Sequence, residues 1–192
     1  EGHAPKKDLP ICTHDPAVDK LISASIHKTK RWFQPSMYDT IKAKLPGGVC
    51  PPDRPVALDL GLNLGSWALY ALERGCHVIG FDALLVNVRR VAQTVIAAKD
   101  DSGRPLIERF HGFRNGVGNT VGNTTIRISR GNVGTSTIYP GLKPTDDNVE
   151  LIQTVVLEDL LYNMPLELRP QVRVGHWDAS TGGWEYSMEP LQ

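Results

Sequence analysis

Val56-Ala57-Leu58-Asp59-Leu60-Gly61-Leu62-Asn63-Leu64-Gly65-Ser66 is the stretch that decides the fold. Val56 to Leu60 is a short, largely apolar run that ends in a glycine-bearing loop, as a buried parallel strand does. Ser66 to Arg74 then reads as a helix, with Ala68, Leu69, Ala71 and Leu72 on its apolar face and Gly75 as its stop. His77-Val78-Ile79-Gly80-Phe81 is a second strand ending at Asp82, and a longer helix follows from about Leu85 to Lys99. Its inward face is expected to carry Val88, Val91, Ala92, Val95 and Ile96. Strand, helix, strand, helix at this spacing predicts an α/β fold with a parallel, doubly wound sheet.

The loop between the first strand and helix carries the chemistry. Glycines there allow a sharp turn and let a ligand approach without meeting a Cβ atom, while the helix that follows presents unpaired N–H groups. A dinucleotide fingerprint would read GxGxxG, with pyrophosphate on the helix terminus. Here the leading position is Asp59, and the glycines are Gly61 and Gly65. A carboxylate is a poor neighbour for pyrophosphate and a good one for the ammonium of an amino acid. Asp82, about 20 residues on, is placed to accept hydrogen bonds from ribose hydroxyls. S-adenosylmethionine has both an ammonium and a ribose, whereas NAD has no ammonium. An NAD-dependent oxidoreductase is therefore the weaker alternative. Each acid also has a plainer reading, Asp59 as a helix cap and Asp82 as a strand-end turn.

Asp59-x-Gly61-x-Asn63-x-Gly65, followed by Val78-Ile79-Gly80-Phe81-Asp82 and Asn87, resembles the FkbM-type methyltransferases. In that family the loop usually has Ala at the Leu62 position, and the second strand usually ends in Phe-Glu-Pro where this chain has Phe81-Asp82-Ala83. The resemblance continues more loosely through Asn132-Val133-Gly134-Thr135-Ser136 and Leu157-Glu158-Asp159-Leu160-Leu161. It implies a Rossmann-like class I methyltransferase domain over 55–192, with S-adenosylmethionine held by Asp59, Gly61, Asn63, Gly65, Asp82, Asn87 and Asn115. Residues 1–54 then form an N-terminal extension of two short helices and a linker. The family's last motif is a strand ending in Lys-Ile-Asp, then two residues, Gly, an aliphatic or aromatic residue and Glu. The matching residues here are Asp178 and Glu185 in Trp177-Asp178-Ala179-Ser180-Thr181-Gly182-Gly183-Trp184-Glu185, with the Lys absent and the acids two residues further apart. The C-terminal strands of the sheet are accordingly expected to be incomplete.

The reaction the resemblance implies is methyl transfer to a hydroxyl of a small metabolite or glycan. Such a transfer depends on positioning and on a general base for the hydroxyl proton. Asp178, Glu185 and His111 are the candidates, with His176 beside them, and Asp178 matches the family's motif position. Asn132 and Ser136 are expected either to contact the acceptor or simply to build a turn. Given the irregular last motif, the alternative to an active enzyme is an inactive domain of the same shape.

Lys plus Arg and Asp plus Glu number 21 each, which gives no electrostatic footprint for nucleic acid. No apolar run reaches the ~20 residues of a membrane span. The three cysteines show no metal spacing. Cys76 is expected to pack as a small hydrophobe, while Cys12 and Cys50 are the pair that an oxidising compartment could join. Compartment and oligomeric state stay open; one Asn123-Thr124-Thr125 sequon adds slight weight to a secretory history. Asp15-Pro16 is expected to start a helix with Val18, Leu21, Ile22 and Ile26 inward. A second helix is expected from Pro35 through Leu45. Later strands are expected near 107–113, 124–129, 135–139, 154–157 and 172–177, with a helical turn at 158–162.

Overall fold

A computed structural model of the chain describes residues 9–30, 50, 56–138, 141–163, 172–178 and 183–185, the last two stretches by strand pairing alone. The chain is a mixed α/β protein. Helix α1 spans Ile22–Thr29, strand β1 Val56–Leu60, helix α2 Ser66–Glu73, strand β2 His77–Asp82 and helix α3 Leu85–Ala97. Strands β3 (Phe110–Arg114), β4 (Gly116–Gly118), β5 (Gly122–Arg127), β6 (Thr137–Ile138) and β7 (Val149–Val156) follow. Helix α4 (Leu157–Tyr162), β8 (Val172–Asp178) and β9 (Gly183–Glu185) complete the order.

The first sheet runs β3-β2-β1-β8-β9. Its first four strands are parallel, and β9 pairs antiparallel with β8. Leu60 lies opposite Phe81 on one side and His176 on the other, so β1, β2 and β8 end at the same edge. The chain leaves β1 towards β2 and β3 and returns on the far side to β8, which opens a crevice at the carboxyl edge beside β1. A second sheet, β4-β7-β5-β6, is built on the antiparallel ladder from Gly122↔Thr154 to Arg127↔Val149.

The periodicity of α2 holds, with Ala68, Leu69, Ala71 and Leu72 buried. These residues join Val78, Val91, Val95 and Leu106 in the main core. A smaller cluster of Leu84, Ile126, Val133 and Ile152 ties the end of β2 to the second sheet. In α3, however, Ile96 is 65% exposed, and the polar Asn87 and Thr94 turn inward instead. Both have partners that meet their polar atoms, Asn87 with Asp82 and His14, Thr94 with the Cys12 N–H and the Arg90 carbonyl.

The first helix also departs from its expectation. Asp15 closes a turn, accepting from the Ala17 N–H, and α1 begins only at Ile22. Asp19, wholly buried, takes the Ile22 and Ser23 N–H groups at 3.3 and 3.0 Å and so does the work expected of Asp15. Val18 and Leu21, expected inward, are 57% and 46% exposed, while Ile22 and Ile26 enter the core. The helix expected at 35–45 lies outside the described residues.

The cysteine expectation is corrected. Cys50 pairs with Cys76, their Cα atoms 5.3 Å apart, and Cys12 is the free thiol. The Cys50 N–H donates to the Arg74 carbonyl, which brings Cys50 to the end of α2 where Cys76 follows. Among the described residues, no helix is long and apolar enough to cross a membrane.

Candidate functional site

A cavity of about 730 Å³ lies at the carboxyl edge of β1 and β2, walled on its other side by the second sheet. Such a volume suits a small-molecule ligand. The glycine loop forms its floor. Gly61 and Gly65 hold φ values of 93° and 76°, a region that favours glycine, and Asn63 holds 48°. A Cβ at Gly61 would meet nothing within 4 Å, whereas one at Gly65 would lie 2.8 Å from a Val91 methyl. The first glycine keeps the backbone bare towards the cavity, and the second lets α3 pack against the loop. The Gly61 and Leu62 N–H groups donate to the Phe81 carbonyl, fixing the loop to the end of β2.

Asp59 and Asp82 both line the cavity, and each is almost fully buried. Asp82 is saturated. Its Oδ2 accepts from the Asn63 N–H at 2.8 Å, its Oδ1 from the Leu84 N–H at 2.8 Å, and Asn87 Nδ2 sits 3.1 Å from both oxygens. Asp59 accepts through Oδ2 from the Ala68 N–H at 3.0 Å, in the first turn of α2, and its Oδ1 has no donor among the described residues. Burial pushes the Asp59 carboxyl up to about 7; the Ala68 N–H opposes this shift, and the Asp82 charge adds to it. Burial also raises the Asp82 carboxyl, against the pull of the Leu84, Asn63 and Asn87 donors and of His14.

No Lys, Arg or His occurs among the described lining residues, so no described side chain of the wall forms an ion pair with either acid. Two further acceptors, Asn63 Oδ1 and Asn132 Oδ1, are buried without a partner. Both residues line the cavity. Two buried carboxylates with no cationic side chain among the described lining suit a ligand that brings a cation. Among the described residues there is no cluster of three or more His, Cys, Asp and Glu suited to a metal.

The structure brings together Asp59, Gly61, Asn63, Asp82, Asn87 and Asn115 around this cavity. Gly65 sits just beneath, against Val91. Asn132 and Ser136 line the cavity too, and Ser136 Oγ also builds its own turn by donating to the Val133 carbonyl at 2.7 Å. His111 is set apart. It lies opposite Ile79, short of the carboxyl edge, on an exposed position of β3 outside the lining. His176 and Glu185 face each other in the β8–β9 ladder, and Asp178 ends β8 two residues beyond the level of Leu60. Backbone register thus puts Asp178 at the cavity's edge of the sheet.

The structure adds three features to the site. Leu21 and Ile22 of the N-terminal segment line the cavity, which makes that segment part of the wall. Phe81, which also lines it, stacks on Phe113 with ring centroids 5.4 Å apart. His14 is bonded to Asn87. Only the helical spacing of Leu21 and Ile22 gave any signal, since a lone His or Phe carries no pattern.

Compared with known proteins, the chain matches no family model, no curated protein and no solved structure.

Proposed function

We propose that the chain is an S-adenosylmethionine-dependent O-methyltransferase with a Rossmann-like class I domain, acting on a hydroxyl of a small metabolite or glycan. The observation that carries this reading is the pair of buried carboxylates, Asp59 and Asp82, with no cationic side chain among the described lining residues, at the carboxyl edge where the chain switches direction across β1. Asp59 is the one with an oxygen that no described residue meets, as suits an ammonium partner. Asp82 is the acid at the end of the second strand, where ribose hydroxyls are met. The bare backbone at Gly61 and the unpartnered Asn63 and Asn132 oxygens fit a ligand that fills the space above the loop. The FkbM-type resemblance of 59–65 and 77–87 supports the same assignment.

Bound there, S-adenosylmethionine supplies an electrophilic methyl group. What the chain contributes is positioning, which is the larger part of catalysis for an in-line transfer. The glycine loop and Asp59 orient one end of the ligand, and Asp82 the other. Asp178, at the end of β8, is the proposed general base for the acceptor hydroxyl, with Glu185 on β9, opposite His176, as the second candidate. Asn132 and Ser136 are proposed to face the acceptor.

The test is calorimetric titration of the chain with S-adenosylhomocysteine and with NAD. Micromolar binding of the first alone, weakened by Asp59→Ala and by Asp82→Ala, is the expected result. Binding of NAD alone, or of neither by a folded chain, would refute the reading.

A further inference from the structure

The N-terminal segment reaches Asp82 through one buried histidine. His14 is 5% exposed, and its Nε2 lies 2.8 Å from Asn87 Oδ1. Asn87, in the first turn of α3, turns its Nδ2 towards both oxygens of Asp82. An amide can offer its donors to a carboxylate only while its carbonyl points elsewhere, and here it points at His14. Because that carbonyl only accepts, His14 Nε2 carries the proton and donates. The flipped amide would set carbonyl against carboxylate and donor against donor. The histidine therefore holds Asn87 in the one orientation that serves Asp82.

The other end of His14 is equally fixed. Its backbone N–H donates to Ser23 Oγ at 3.2 Å, and the Ser23 hydroxyl donates to Asp19 Oδ2 at 2.7 Å. Asp19 in turn holds the first turn of α1, whose Ile22 lines the cavity. A single hydrogen-bonded series thus runs from Asp19 through Ser23, His14, Asn87 and Asp82 to the Asn63 N–H of the glycine loop. The segment is also anchored on both sides, by the Cys12 N–H on Thr94 Oγ1 and the Lys20 N–H on the Gly131 carbonyl.

We propose that His14 is a positioning residue for Asp82, so that residues 9–29 are a working part of the ligand site rather than a cover for one face of the sheet. The role as a ribose-site residue rests on the cofactor reading above, whereas the effect on Asn87 is independent of it. Side-chain networks of this kind act as a unit, because each member fixes the orientation of the next.

The experiment compares the wild-type chain with His14→Gln, which keeps a donor, and His14→Phe, which fills the space without one (His14→Leu replaces it if the ring is not tolerated). S-adenosylhomocysteine affinity is measured for each, and the Asn87 side-chain amide resonances are followed in the ligand-free chain. The expected result is about tenfold weaker binding in His14→Phe, near wild-type binding in His14→Gln, and Asn87 resonances displaced only in the former. His14→Phe binding as tightly as wild type, or His14→Gln as weakly as His14→Phe, overturns the proposal. A wild-type chain that does not bind overturns the cofactor reading instead, and the ligand-free resonances then decide alone. Displaced in His14→Phe and restored in His14→Gln, they support the positioning role; unmoved, they overturn it.

Discussion

Asp59 and Asp82 lie at the carboxyl ends of neighbouring parallel strands and share one cavity, yet Asp82 accepts from three donor groups, while among the described residues Asp59 has a single N–H partner, at Ala68. The two acids are therefore opposite in kind. Asp82 builds the loop around itself, and Asp59 has an oxygen that no described residue meets. This asymmetry makes their substitutions distinguishable.

Asp59 is expected to destabilise the ligand-free fold at alkaline pH. The folded protein keeps its proton up to about 7, while the ordinary carboxyl value is 3.8, so folding takes up a proton between these values. Stability conferred by the protonated acid is complete below about 4 and is lost as pH rises through about 7. The difference is on the order of 4 kcal/mol. Asp59→Asn removes it, so its thermal midpoint should exceed wild type by roughly 10 °C at pH 8 and by little at pH 4, as read by calorimetry.

Asp82→Ala should act in the other direction. It strands the N–H groups of Asn63 and Leu84 and the Asn87 amide, all close to the cavity floor. Buried donors left unpaired cost about 1–3 kcal/mol each, so a loss of about 3 kcal/mol is expected in urea unfolding at pH 7.

Two left-handed glycines separate backbone strain from packing. A side chain at Gly75 meets open space, whereas at Gly65 it meets Val91. Gly75→Ala should cost about 1–2 kcal/mol, the strain of the left-handed backbone alone. Gly65→Ala should cost about 2 kcal/mol more, through overpacking, on the same urea-unfolding scale.

The Cys50–Cys76 disulfide closes a loop with a sequence separation of 26. Chain-entropy arguments give such a crosslink about 3 kcal/mol. Adding a reductant, or making Cys50→Ser, should lower the thermal midpoint by roughly 10 °C, and the reductant should have no further effect on the Cys50→Ser variant.

The sequence was most legible from Val56 to Ala97, for a physical reason. Parallel strands buried on both faces are short apolar runs, and the glycines between strand and helix have backbone angles few other residues accept. Legibility fell where polar residues turn inward. Asn87 and Thr94 interrupt the apolar face of α3 because each has a buried partner, and Asp19 is buried as a cap that no local pattern announces. Strand β7 is longer than expected because buried Ile152 and Thr154 alternate with exposed Leu151 and Gln153, within a ladder that only tertiary pairing reveals. The carboxylates of the site were legible from their spacing, whereas His14 was not, since its role depends on a contact 73 residues away.

Asp59 is proposed to receive the ligand's ammonium. The decisive comparison, at pH 8, sets S-adenosylhomocysteine against 5′-methylthioadenosine, which lacks the amino-acid moiety, on wild type and on Asp59→Ala. A charge-assisted pair predicts that wild type prefers S-adenosylhomocysteine by about tenfold or more and that Asp59→Ala abolishes most of this preference. Equal affinity of the wild-type chain for the two ligands, or a preference that survives in Asp59→Ala, would contradict the account.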